Sequence, residues 1–211
     1  YSILGARPFE TIEIFPQGTR IQSAAGVETL PGNPFFAAGA ALRRRRAVPD
    51  AGLPPFAGGA VGTLHYEAAQ LLEPSLGPSQ EGCAGRLHVF ADVAVFDHVR
   101  RSILLIANAL GPSRKEYARA ADALDAMAAR LAAPVREFPS QKPAKARAAV
   151  LRSALGPRRF LAGVKRLKRE IRRGEIFQAV LSDSFEIPFS ARPFEAYRRL
   201  RALNPAPYLF Y

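Results

Sequence analysis

Gly58, Gly59 and Gly62 fall within the run Gly58-Gly59-Ala60-Val61-Gly62-Thr63. Clustered glycines are common in phosphate-cradling loops, where backbone N–H groups must approach an anion closely. The rest of that chemistry is missing, because no Lys-Ser or Lys-Thr pair follows and the spacing is not G-x-G-x-x-G leading into a helix. The three are therefore expected to allow close backbone packing of a strand. His65, His88 and His98 each stand alone, with no second histidine at i+2 or i+4 to complete a metal pair, and each is expected to be structural. Asp92 and Asp97 resemble an acid pair only in type. Their odd spacing on an extended strand places them on opposite faces. Cys83 has no histidine nearby in sequence to activate it as a nucleophile.

The elements that would carry these residues can be read from periodicity and punctuation. Short strands are expected at 1–4, 11–15 and 19–22, the last two joined across Pro16-Gln17-Gly18 as a hairpin. Asn33 as N-cap and Pro34 as first helical residue predict a helix over 35–46, with its arginines at the negative end of the helix dipole. A small-residue strand follows around 58–66, then a short helix at 67–72 and a Pro/Gly/Ser loop over 73–85. Apolar runs at 87–96 and 102–109 predict a long antiparallel hairpin. Residues 115–131 have helical spacing and stop at Pro134. The polar, aperiodic stretch after it predicts a linker over 135–150. Beyond it come a helix at 158–173 closed by Gly174, a strand at 176–187, a helix opened by Pro193 over 193–203, and a final strand at 207–211. The fold class expected is α+β, with mixed, largely antiparallel sheets and flanking helices.

With 211 residues and 48% apolar content the chain can bury a sizeable core. Its single cysteine excludes an internal disulfide and fits a reducing compartment, so the expected location is cytoplasmic. No apolar run approaches the roughly 20 residues of a membrane span, so no membrane partner is expected. The formal charge of +12 raises the question of nucleic acid. Aromatic RNA-binding signatures and Cys/His fingers are missing, and nucleic acid is not expected as a partner. The chain opens at Tyr1 without an initiator methionine and closes on the aromatic run Pro207-Tyr208-Leu209-Phe210-Tyr211. Both ends are expected to be internal to a longer polypeptide.

Several stretches together resemble the anthranilate synthase component I family of chorismate-utilising enzymes. They are Tyr1-Ser2-Ile3-Leu4-Gly5, Pro54-Pro55-Phe56-Ala57-Gly58-Gly59-Ala60-Val61-Gly62, and Val95-Phe96-Asp97-His98 with Leu105-Ile106-Ala107-Asn108. Gly174-Glu175-Ile176-Phe177-Gln178-Ala179-Val180-Leu181-Ser182 and Asn204-Pro205-Ala206-Pro207-Tyr208-Leu209-Phe210-Tyr211 follow in the family's order. The resemblance implies an incomplete component I-like fold: a family N-terminal domain over 1–134, the linker, and the opening of a chorismate-binding domain over 151–211. It implies conversion of chorismate and ammonia to anthranilate and pyruvate, the first step of tryptophan biosynthesis. Mg²⁺ would be the cofactor and a glutamine amidotransferase subunit the partner, with L-tryptophan as feedback inhibitor. The family's catalytic histidine and Mg²⁺-holding glutamates have no counterparts in these residues, so the chain alone is expected to be inactive until a C-terminal half completes it.

By the same resemblance, Gln178 occupies a position where water-using relatives carry lysine. A neutral amide cannot serve as a base at neutral pH, so glutamine there favours ammonia as nucleophile. Pro207, Tyr208 and Leu209 correspond to the segment that lines the inhibitory tryptophan site. Asp183 departs from the family's Leu-Ser-Gln-Arg or Leu-Ser-Arg-Arg pattern, and the sequence leaves its role open. Two other readings stand beside this one: aminodeoxychorismate synthase component I of the folate branch, and a binding module without chemistry.

Overall fold

A computed structural model of the chain describes residues 1–44, 48, 50–77, 82–134, 151–189 and 192–211. The chain divides into two compact units, Tyr1–Val135 and Arg136–Tyr211. The linker expected at 135–150 lies outside the described residues.

In the first unit, β1 (Ser2–Gly5), β2 (Glu10–Phe15) and β3 (Gly18–Ser23) follow the sequence reading, and β2 and β3 close across Pro16-Gln17 with Phe15 opposite Gly18. The strand β4 (Gly26–Pro31) was not anticipated. It is an edge strand bounded by glycine and proline and largely exposed, so it has neither the alternation nor the punctuation-free run that marks a strand in sequence. The first helix, α1 (Pro34–Arg43), is capped by the Asn33 side chain, which accepts the N–H groups of Phe35 and Phe36 at 3.0 and 3.3 Å. Arg44 follows as its C-cap and forms a two-pronged pair with Glu28 at 3.0 and 3.3 Å. The helix is thus shorter than the expected 35–46.

The main correction concerns residues 87–96, expected as one strand. They divide at Ala91 into β6 (Gly85–Phe90) and β7 (Asp92–Asp97), which belong to different sheets. With β5 (Gly59–Leu64), the first sheet runs β4-β3-β2-β6-β5; with β8 (Ser102–Ala107), the second runs β1-β7-β8, and every pairing is antiparallel. An apolar run records burial, and here burial continues through the change of sheet. Asn108 holds the crossing in place. Its Nδ2 donates to the carbonyls of Ala57 at 2.8 Å and Ala91 at 2.7 Å, and its own N–H donates to Ala91 at 3.0 Å.

Period-2 alternation puts Ile12 and Ile14 on one face of β2, and Ile21 sits opposite Ile12 on β3. These three, with Val89, Ala38 and Ala41, form the core beneath α1. Thr19 is fully buried and donates its hydroxyl to the Pro34 carbonyl at 2.8 Å, so its own polar group is not stranded. On the other sheet Val93 and Val95 are buried, and α2 (Arg114–Ala132), capped by Ser113, packs on β7 and β8. A 3₁₀ turn at Tyr66–Leu71 replaces the short helix expected at 67–72, and another at Pro74–Leu76 lies within the expected loop.

Asp97 ends β7 and turns the chain, accepting the N–H groups of Val99 and Arg100, each at 2.9 Å. The Arg100 amide holds its carboxyl below an aspartate's ordinary pKa, helped by the Val99 amide and the Arg100 charge and opposed by burial. A carboxyl depressed in the folded state stabilises above its ordinary pKa, and that stabilisation is lost as pH falls through the folded value. In urea titrations, Asp97→Asn should therefore be less stable than the unaltered chain at pH 6, with the gap closing below about pH 4. A gap unchanged at pH 3 would contradict the assignment.

The second unit contains β9 (Arg152–Ser153), α3 (Gly156–Arg172), β10 (Phe185–Glu186) and α4 (Pro193–Leu203), with β9 and β10 antiparallel. Two expected strands are not formed. Of 176–187 only Phe185–Glu186 is strand, and 207–211 is irregular. Their apolar composition reads as strand, but a strand exists only with a hydrogen-bonding neighbour, and none is present among the described residues.

Candidate functional site

His88, His98 and Cys83 have structural settings, while the His65 side chain is exposed. His98 Nε2, in the turn after β7, lies 2.8 Å from Ser2 Oγ, and His88 Nδ1 lies 3.2 Å from Thr11 Oγ1 on the paired strand. Cys83 donates to the Gly85 carbonyl at 3.1 Å. The acid pair separates as its spacing requires. Asp97 serves the turn, while Asp92 takes Arg119 Nη1 at 3.1 Å, and Arg119 also donates to the Asn108 carbonyl. Two of the glycines are packing residues: a Cβ on Gly62 would sit 1.9 Å from the Arg86 carbonyl oxygen, and one on Gly58 would sit 2.7 Å from Asn108 Nδ2, whereas Gly59 has room for a Cβ and is set apart by its positive φ of 127°.

Gln178, Pro207, Tyr208 and Leu209 all lie in the second unit. Gln178 is exposed, on irregular backbone between α3 and β10. Its neighbours Phe177 and Val180 are 95% and 86% exposed. Pro207 and Tyr208 are exposed and Leu209 half-buried, after α4 ends at Asn204. At the chain's end Tyr211 packs on Phe194 and Tyr197, with ring centroids 5.1 and 5.6 Å apart. Among the described residues, none of the second unit is buried.

Asp183, whose role the sequence left open, is a capping residue. It accepts the Ser153 hydroxyl and the Leu155 N–H at 3.0 Å, while Ser153 Oγ accepts the Gly156 N–H at 2.7 Å. The first residues of α3 have no cap of their own, and this pair supplies one. The Ser153 hydroxyl, then the Leu155 amide, hold the Asp183 carboxyl below its ordinary pKa against the effect of burial. Ser153 three residues before a helix start followed by Pro157 is a readable signal. Its partner thirty residues on is not, because nothing local connects them.

Among the described residues, no three His, Cys, Asp or Glu side chains gather around a common point. Asp183 and Asp92 are already engaged as above. Among the described residues, no helix is long and apolar enough to cross a membrane.

Residues 11–211 match the family described as chorismate binding enzyme, and the chain belongs to that family. It is 32% identical over 229 residues to "Anthranilate synthase component 1" of Geobacillus stearothermophilus, an alignment that covers 100% of this chain and 45% of the relative. It is 34% identical over 221 residues to the protein of the same name from Streptomyces coelicolor, covering 100% of this chain and 40% of the relative. The crystal structure of anthranilate synthase component I from Streptococcus pneumoniae TIGR4 superposes with a TM-score of 0.78 at 24% identity, over 99% of this chain and 46% of that one. That likeness bears out the mixed α+β, antiparallel fold. The chain spans less than half the length of the relatives named here.

Proposed function

We propose that this chain forms part of an anthranilate synthase component I, acting on chorismate and ammonia in tryptophan biosynthesis. The observation that carries the reading is the alignment of the whole of this chain to part of proteins of that name at about one-third identity. On this reading 1–134 is an N-terminal domain and 151–211 opens the chorismate-binding domain. The amidotransferase partner, magnesium and tryptophan inhibition belong to the whole protein.

Charge distribution supports an anionic substrate. Residues 151–211 carry thirteen Arg and Lys against five Asp and Glu, whereas 1–134 are nearly balanced at thirteen against twelve. A positive field concentrated in one unit raises the local concentration of a dicarboxylate such as chorismate. Gln178 is uncharged and cannot take a proton from water, which suits ammonia as the nucleophile. Pro207, Tyr208 and Leu209 supply a rigid turn and an aromatic face for the tryptophan effector.

The second unit, with no buried side chain among its described residues, offers no water-excluded site by itself. The 211-residue chain should therefore release no anthranilate from chorismate, Mg²⁺ and ammonium. With a separately expressed polypeptide spanning the portion of a relative that this chain does not cover, anthranilate fluorescence should appear. Aminodeoxychorismate as product would assign the folate branch instead. No product at all would favour a binding module, and turnover by the chain alone would overturn the proposal that it is a part.

A further inference from the structure

The stretch that carries Gln178 is fastened at both ends of one helix. Where it begins, Gly174 adopts a left-handed conformation (φ 78°). Its N–H donates to the Ile171 carbonyl and the Glu175 N–H to the Glu170 carbonyl, each at 3.1 Å. These two bonds make a Schellman closure of α3. Where the stretch ends, Asp183 caps the opposite end of the same helix through Ser153 and Leu155. The fastening continues past it: the Ala154 N–H donates to the Ser184 carbonyl at 2.9 Å, and Phe185 pairs with Ser153. Between the two ends Leu181 lies on Gly163, where an added Cβ would come within 2.8 Å of Leu181 Cδ2.

Length makes these contacts a constraint. The 17 residues of α3 extend about 25 Å at 1.5 Å each. The chain from Gly174 to Asp183 can span at most about 30 Å when fully extended. Most of that reach is used in returning along the helix. Gln178 lies between the Gly174 closure and the contact of Leu181 with Gly163.

We propose that Asp183 and Ser153 are positioning residues for Gln178, fixing its place along α3 by anchoring the far end of the stretch that carries it. This rests on the reading of Gln178 as the position that selects the nucleophile. An error of about 1 Å in placing a group beside a reacting centre can cost roughly 100-fold in rate, so an anchor of this kind has a chemical consequence. The depressed pKa of Asp183 agrees with a carboxylate that stays ionised in its cap.

The test reads position without chemistry. In the 211-residue chain carrying Cys83→Ser, a nitroxide is attached at Gln178→Cys or, as a control on the helix itself, at Lys168→Cys. Asp183→Ala should abolish the immobilised component of the spectrum at 178 and leave the spectrum at 168 unchanged. Asp183→Asn, whose amide oxygen keeps one of the two acceptors, should restore immobilisation at 178 in part. Three results would overturn the proposal: a label at 178 that is mobile before any change at 183, equal mobilisation at both positions, or an asparagine variant that behaves like alanine. Because the readout is independent of turnover, a negative fluorescence result would reject the functional reading while leaving the anchor intact, and the reverse holds too.

Discussion

Gly62→Ala should separate β5 from its sheet and lower stability by about 3 kcal/mol, the upper end of the usual range for overpacking. A Cβ there would lie 1.9 Å from the Arg86 carbonyl oxygen and 2.7 Å from the Leu87 Cα, and both atoms are backbone of β6. A side chain could rotate away; β6 cannot, because its other edge is held in register by β2, with Ile12 opposite Leu87 and Glu13 opposite Arg86. The cost therefore falls on β5, an outer strand with one neighbour. Urea unfolding followed by circular dichroism should show the loss, and hydrogen exchange should place it in the amides of β5. Gly111→Ala is the comparison, since its added Cβ would meet only Glu116 Cγ, at an ordinary 3.7 Å. That variant should stay within about 0.5 kcal/mol of the unaltered chain. Equal stability of the two variants would return the glycine cluster to some purpose other than packing.

How much of this was readable depended on the distance over which each interaction acts. The Asn33 cap, the Pro193 start and the Gly174 stop are local events among residues a few positions apart, and α1, α4 and α3 begin or end there. The hairpin at Pro16-Gln17 is equally local. By contrast, the division at Ala91 depends on Asn108 and Ala57, seventeen and fifty-one residues from their partners. The cap on α3 depends on a residue thirty positions away. An apolar run says that a segment seeks cover and not which neighbour supplies it. This is why 87–96 looked like one strand and 176–187 and 207–211 looked like strands at all. The site residues Gln178, Pro207, Tyr208 and Leu209 came from resemblance, since their exposed, irregular settings leave no periodicity to read.

Ile12→Ala should cost about 3 to 4 kcal/mol, within the range for deleting a large buried aliphatic side chain and leaving part of its volume empty. Ile12 has no exposed surface, lies on the central strand of the five-stranded sheet, and is surrounded by Ile14, Ile21, Val89 and the alanines of α1. Those neighbours sit on strands paired on both sides or on a helix pressed against them, so collapse into the cavity is restricted. Leu203→Ala removes a side chain of similar size and should change stability by less than about 0.5 kcal/mol, because Leu203 is 84% exposed at the end of α4. The contrast tests where stability resides, since every buried hydrophobic residue among those described falls between Ile12 and Ala120. A large loss at Leu203 would mean that the second unit has packing of its own, and with it the means to shelter a substrate unaided. A small loss at both positions would mean that the first unit's core is not the one assigned here.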